Sequence, residues 1–133
     1  MKPIRFVIAA LLISVCQLAH AQEAPPLVVV QKQLDAYNEQ DIDAFAELFA
    51  EDAEVFRNIG DEEPSMKGRK KIRKEYKELF KQNPNNKSTL MGLMVQGNFV
   101  IDHEWITGRE NEFKIVAIYE VRGGLIQRAW FIR

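Results

Sequence analysis

The chain has 133 residues, and its 18 basic and 19 acidic residues give a formal net charge of −1. This balance argues against a general electrostatic attraction to nucleic acid. The length suits one domain with a single core, and the only cysteine, Cys16, lies in an N-terminal apolar segment, so we expect no disulfide.

Residues 1–21 have the features of a cleavable signal peptide. A basic start precedes an apolar run at 6–18, and Ala19 and Ala21 place small residues at the two positions that a signal peptidase reads. The apolar run is short for a membrane span, although an uncleaved anchor is the alternative. We therefore expect cleavage before Gln22, a periplasmic or secreted mature protein, and no stable membrane anchor after cleavage.

The remaining chain is interpreted as one domain over residues 28–133, preceded by a Pro-containing lead-in at 22–27 that we expect to be flexible. Apolar residues recur at helical spacing in the first half of this domain. The predicted helices are residues 28–40, a helix capped by Asp41 with the apolar stripe Phe45, Leu48 and Phe49, and residues 70–81.

Beyond residue 87 the hydrophobic period changes to two, which predicts β-strands. The predicted strands are residues 54–58, 90–94, 98–107, 112–121 and 125–132, with a hairpin turn at 122–124. Helices followed by an antiparallel meander indicate an α+β fold, with a curved antiparallel sheet packed on three N-terminal helices.

Side-chain alternation assigns faces to the two clearest strands. One face of residues 112–121 is entirely apolar and should meet the helices: Phe113, Ile115, Ala117, Tyr119 and Val121. The same polarity argument points His103 and Trp105 inward and Asp102 and Glu104 outward, although a shift of one residue would exchange the two pairs. The outward face keeps apolar residues, namely Val116, Ile118, Trp130 and Ile132. We therefore expect a homodimer that packs sheet to sheet through this face.

Four segments together resemble one known family: VVVQKQLDAYNEQDIDAFAELFAEDAEVF, MKGRKKIRKEYKELF, VIDHEWITG and AIYEVRGGLIQRAWF. They are similar to the SnoaL-like branch of the nuclear transport factor 2-like superfamily, which includes the ketosteroid isomerase-like fold. The resemblance covers nearly all of the chain after the signal peptide. It implies a cone-shaped α+β barrel (the cystatin-like arrangement) with a deep pocket and, commonly, a dimer.

The resemblance does not carry over the reaction of ketosteroid isomerase. The tyrosine and the two aspartates of that enzyme fall on Gln33, Arg57 and Ala117, none of which can perform the same proton transfer. The Asp-Arg-Asp set of limonene-epoxide hydrolase is likewise absent. Polyketide cyclases of this family use a pocket aspartate as acid and base, and no inward carboxylate is expected here.

His103 is the only histidine after the signal peptide and the candidate catalytic residue, because histidine exchanges protons near neutral pH. The alternative is a strand histidine without chemistry. The predicted pocket residues are Tyr37, Phe56, Arg57, Trp105, Tyr119 and Phe131. Arg57 could bind a carboxylate or phosphate at the pocket mouth, or pair with the acidic run at 61–63.

Three functions therefore stay open. The first is an exported SnoaL-like domain that binds a small, largely apolar molecule in a conical pocket. The second is an isomerase, cyclase or hydrolase that uses His103 as acid and base. The third is a protein-interaction module that uses the outer sheet face. The basic run at 67–77 is interpreted as the solvated face of a helix, and no motif in the sequence calls for a metal or another cofactor.

Overall fold

Six strands form one curved sheet with helices against it in the computed structural model, which describes residues 22–133. The elements are α1 (Pro26–Glu39), α2 (Ile42–Glu47), β1 (Phe49–Phe56), β2 (Met66–Lys67), α3 (Arg69–Gln82), β3 (Lys87–Gln96), β4 (Phe99–Thr107), β5 (Phe113–Arg122) and β6 (Leu125–Ile132). The strand order is β2-β1-β6-β5-β4-β3. The predicted α+β class is confirmed. One detail differs, because β1 runs parallel to β6 whereas every other neighbouring pair is antiparallel.

The predicted signal peptide lies outside the described residues. Within residues 22–133, no helix is long and apolar enough to cross a membrane. The first helix begins at Pro26, a position where the missing N–H of proline costs no intrahelical bond. The last two residues of the expected flexible lead-in at 22–27 are therefore helical, and Ala24 packs against the core.

The turn between α1 and α2 follows from two residues. Gln40 ends α1 in the left-handed conformation, with φ of 56°, and its backbone N–H donates to the Tyr37 carbonyl. Asp41 then accepts a hydrogen bond from the Ala44 backbone N–H at 3.0 Å, as its predicted N-cap role requires. The first helix ends here because the left-handed Gln40 cannot continue it, and Asp41 then caps a second helix.

The second helix is shorter than predicted, since it ends at Glu47 and Phe49 already belongs to β1. The backbone N–H of Ile126 donates to the Leu48 carbonyl at 2.8 Å, and Phe49 pairs with Ile126 across the sheet. Phe49 and Ile126 are both fully buried. Pairing with β6 therefore starts the strand before the helical stripe of apolar residues is complete, and β1 covers 49–56 instead of the predicted 54–58.

An aromatic cluster joins the helices to the sheet. Phe45 of α2 lies 4.5 Å from Tyr76 of α3, 5.2 Å from Phe49 of β1 and 6.2 Å from Tyr37 of α1, measured between ring centroids. Burial of each such ring contributes roughly 1.5–3 kcal/mol. The cluster fixes α1 and α3 over one part of the sheet, and the space beside it remains open.

The register between β4 and β5 decides which residues of β4 face the helices. Ile106 pairs with Phe113, and Asp102 pairs with Ala117, on the predicted inner face of β5. Ala117, Tyr119 and Val121 are buried, which confirms that face. The predicted inward orientation of His103 and Trp105 is wrong. Both lie on the outer face, where Trp105 is 40% exposed, because residues that pair across antiparallel strands share a face.

The connection between β4 and β5 is held tightly against the connection between α3 and β3. Gly108 has φ of +75°, and a Cβ at this position would lie 1.8 Å from the Asn85 carbonyl oxygen. Only glycine tolerates both the conformation and the approach. The next residue, Arg109, is consequently placed at the open end of the sheet beside the helices.

Candidate functional site

A cavity of about 1040 Å³ lies between α1, α3 and the inner face of the sheet, and is called the central cavity below. Its apolar wall includes Leu34, Val55, Leu79, Ile106, Ile115 and Phe131. Its size is that of ordinary small-molecule sites, which are concave and mostly apolar with a few polar groups. The polar groups on its wall therefore decide what it can do.

Glu104 is a buried carboxyl on the wall of the central cavity. The Ser88 hydroxyl donates a hydrogen bond to Glu104 Oε2 at 2.5 Å, and the Tyr119 hydroxyl lies 3.4 Å from Oε1. Burial raises the pKa of Glu104, and these two hydrogen bonds oppose the change. Glu104 therefore keeps its proton to a higher pH than a carboxyl in water does.

A second group of polar side chains surrounds Arg109. Arg109 Nη2 donates to the Tyr37 hydroxyl at 2.8 Å, and Nε donates to Asn86 Oδ1 at 2.6 Å. Its guanidinium also lies 5.3 Å from the ring centroid of Phe113. Arg109, Tyr37 and Phe113 all line the central cavity. A fixed cation thus stands in the same cavity as the buried carboxyl.

Asp102 lies two residues before Glu104 on the same face of β4 and is only 2% exposed. Its Oδ1 is buried and has no hydrogen-bond partner within residues 22–133. Burial, and secondly the charge of Glu104, raise the pKa of Asp102 to about 7. Gln33 of α1, which lines the central cavity, likewise has a buried side-chain oxygen without a partner in this part of the chain. The space between α1 and the inner face thus holds polar groups that residues 22–133 do not satisfy.

The predicted pocket residues divide between the two faces of the sheet. Tyr37, Phe56, Arg57, Tyr119 and Phe131 line the central cavity. Trp105 does not, because it lies on the outer face. The ring of Phe56 stacks on that of Trp130, with 5.6 Å between the centroids. Phe56 therefore lies at the border between the cavity and the outer face.

His103 is exposed on the outer face, so the structure separates it from the central cavity. The expectation that no carboxylate points inward is also wrong, since Asp102 and Glu104 do. Hairpin pairing could have shown this, because an inward Phe113 opposite Ile106 makes the even-numbered residues of β4 inward. The sequence carried no comparable signal for Arg109, which lies outside any regular element. Among the residues that the structure describes, no three His, Cys, Asp or Glu side chains form a group that could hold a metal ion.

Comparison with known proteins supports the fold and adds family membership. The family model described as SnoaL-like domain matches residues 30–129. No curated protein matches the sequence.

Three solved structures are similar. A cystatin-fold protein from Novosphingobium aromaticivorans is 24% identical, with a TM-score of 0.77 over 83% of this chain and 99% of that one. A proposed ketosteroid isomerase from Kribbella flavida is 21% identical, with a TM-score of 0.68 over 80% of this chain and 76% of that one. A proposed polyketide cyclase from Sinorhizobium meliloti is 22% identical, with a TM-score of 0.68 over 78% and 93%. At these identities the likeness shows the fold alone.

Asp102→Asn should remove a pH dependence of stability. Because the pKa of Asp102 is about 7 in the folded chain and its ordinary value is 3.8, the folded state holds a proton between these values that the unfolded state has released. Stability therefore falls as pH rises from about 4 to about 7, by up to ~4 kcal/mol at 1.36 kcal/mol per pKa unit. Urea unfolding should show Asp102→Asn close to wild type at pH 4 and a few kcal/mol more stable at pH 8.

The control is Glu110→Gln, which neutralises an exposed carboxylate in the loop between β4 and β5. Its unfolding free energy should follow that of the wild type at every pH. If the unfolding free energy of Asp102→Asn also ran parallel to that of the wild type from pH 4 to pH 8, Asp102 would not be a buried carboxyl of raised pKa.

Proposed function

The chain belongs to the SnoaL-like domain family, and we propose that its central cavity binds a small molecule with an apolar body and a polar group that reaches Glu104. The observation that carries this proposal is a buried carboxyl in a cavity whose wall combines apolar and polar side chains. Such a carboxyl costs free energy unless a partner offsets its loss of water. The hydrogen bonds from Ser88 and Tyr119 offset only part of this cost, since burial still raises the pKa of Glu104, and a ligand hydroxyl or carbonyl would add a further partner.

The family adds support of a coarser kind. The proposed ketosteroid isomerase and the proposed polyketide cyclase share this fold, which supports a ligand-binding or isomerase-like role. The export that residues 1–21 predict would place the binding protein in the periplasm or outside the cell. We propose this location together with a ligand that is small and largely apolar.

The cavity should bind the neutral fluorophore N-phenyl-1-naphthylamine, whose emission rises in apolar surroundings. Ile115→Trp places a larger side chain on the inner face of β5 and should abolish the fluorescence rise, because the ring fills the central cavity. Lys114→Trp adds the same ring next to it on the outer face and should leave the titration unchanged. Equal titration curves for the two variants would show that the probe does not occupy the cavity.

The position of Glu104 favours a second candidate function, proton transfer to or from the bound molecule. A buried carboxyl with raised pKa can donate a proton to a carbonyl oxygen, or take one from the adjacent carbon once ionised. The Tyr119 hydroxyl beside it could stabilise the enolate that forms. Such a reaction needs neither His103 nor the residues of ketosteroid isomerase.

Exchange of the α-hydrogens of a ketone such as 2-decalone with D₂O, followed by NMR, tests this candidate. Wild-type protein should accelerate the exchange, and Glu104→Gln should reduce the acceleration by a factor on the order of 10²–10⁴, the usual contribution of one general acid or base. His103→Gln changes only the outer face and should exchange at the wild-type rate. Loss of exchange in His103→Gln, with Glu104→Gln active, would reverse the assignment.

We also propose that two chains pair through the outer face, the surface that carries Ile101, His103, Trp105, Val116, Ile118, Trp130 and Ile132. Met94 and Trp105 of this face are 57% and 40% exposed, which is unusual for such large apolar side chains in a monomer. Pairing of two copies would bury them.

Native mass spectrometry of protein prepared from the periplasm tests pairing and export together. The expected mass is twice that of residues 22–133, because the signal peptide should be absent. Trp105→Lys should give a monomer, whereas Ile59→Lys, which changes an exposed apolar residue in the loop after β1, should remain a dimer. A monomeric wild type would exclude the pairing and direct attention to another protein as the partner of this face.

A further inference from the structure

Arg109 is a preorganised cation on the wall of the central cavity. Its guanidinium donates to Asn86 through Nε and to Tyr37 through Nη2. The neighbouring Gly108 packs against the Asn85 backbone, so the loop cannot easily carry the side chain away. Asn86 is itself fully buried. A guanidinium has five N–H donors, and Asn86 and Tyr37 accept from two of them.

The charge of Arg109 is not balanced by the described part of the chain. No carboxylate oxygen of residues 22–133 lies within 4.0 Å of its guanidinium. Glu104 shares the cavity, but its two oxygens accept from Ser88 and Tyr119 and form no ion pair with Arg109. Only neutral groups, namely Asn86, Tyr37 and the ring of Phe113, therefore offset the loss of hydration of this half-buried guanidinium.

Counted together, the charged residues of the cavity wall also leave an excess of positive charge. Four cationic residues line it, namely Arg57, Lys71, Arg109 and Arg133. Three acidic residues line it, namely Glu75, Glu78 and Glu104. Lys71 and Glu75 pair at 2.5 Å, and Glu78 accepts a hydrogen bond from Gln82. Arg57 and Arg133 are exposed to water, so Arg109 is the cation that a ligand inside the cavity would meet with the least competition from solvent.

We propose that the ligand of the central cavity is an amphipathic organic anion, with an apolar body against the inner face and a carboxylate or sulfonate group bound by Arg109. This inference rests on the proposed binding function and names the chemical class of its ligand. A planar guanidinium can donate two parallel N–H bonds to two oxygens of one carboxylate or sulfonate group. The two hydrogen bonds to Glu104, from Ser88 and Tyr119, occupy that carboxyl away from Arg109 and leave the guanidinium to the ligand.

Two fluorophores that differ by one charged group test the proposal. The neutral probe N-phenyl-1-naphthylamine and 1-anilinonaphthalene-8-sulfonate share the same two ring systems, and only the second carries a sulfonate. Wild-type protein should bind the sulfonate probe about tenfold more tightly, the gain expected from one hydrogen bond to a charged group. Arg109→Gln should bring the ratio of the two dissociation constants close to one, and Arg109→Lys should give an intermediate ratio.

Arg73→Gln is the matched control, because Arg73 lies on α3 and pairs with Asp43 away from the cavity. It should keep the wild-type ratio. A measurement on the wild type alone avoids any loss of folding in the Arg109 variants. Added NaCl should weaken binding of the sulfonate probe and leave the neutral probe unaffected, since salt screens only the charged contact.

The outcomes distinguish failure of the binding function from failure of the anion proposal. If Ile115→Trp abolishes binding of both probes but the wild type binds them equally, the cavity is a binding site and the anion proposal is wrong. If neither probe responds to Ile115→Trp, the binding function itself is wrong. A tenfold preference that persists in Arg109→Gln would also overturn the assignment, because another residue would then hold the anion.

Discussion

The register between β4 and β5 is the constraint on which the site depends. With Ile106 opposite Phe113, the inner face of β4 consists of Val100, Asp102, Glu104 and Ile106. The two apolar residues are almost completely buried and hold the strand in this register, while the two carboxyls between them are buried with it. A shift of one residue would place His103 and Trp105 inward and remove both carboxyls. The pairing with β5 therefore buries two acids, although the outer face of β4 carries the large apolar residues Ile101 and Trp105.

The cost of burial is met differently at the two carboxyls. Glu104 receives a hydrogen bond from Ser88 and has the Tyr119 hydroxyl close by, whereas Asp102 has an oxygen without a partner. The nearby guanidinium of Arg109 does not neutralise either one, because Asn86 and Tyr37 hold it elsewhere. Keeping an acid and a cation apart in one cavity stabilises nothing by itself. It leaves both groups available to a ligand, and functional sites commonly carry such a loss of stability.

The fold could be predicted from the sequence because its long periodic segments are locally unambiguous. The apolar face of β5 and the helix from 69 to 82 were both visible in the spacing of their residues. The boundary between α2 and β1 was not visible in the sequence, because the spacing of Phe49 also fits a helical stripe. Only the pairing of Phe49 with β6 shows that it belongs to a strand. Arg109 was missed for a different reason. Its position results from a backbone approach at Gly108 that involves residues distant in sequence.

The position of the inner carboxyls also shows why the reaction of a relative cannot be transferred by alignment alone. The resemblance placed the protonated aspartate of ketosteroid isomerase at Ala117 of β5, and alanine has no group that can carry a proton. Asp102 is the residue that pairs with Ala117 from the neighbouring strand. An acid is thus present on the inner face, but it reaches that face from a different strand and therefore from a different direction. Because proton transfer depends on the direction and distance of the acid, the same fold with a displaced carboxyl must be tested for its own substrate.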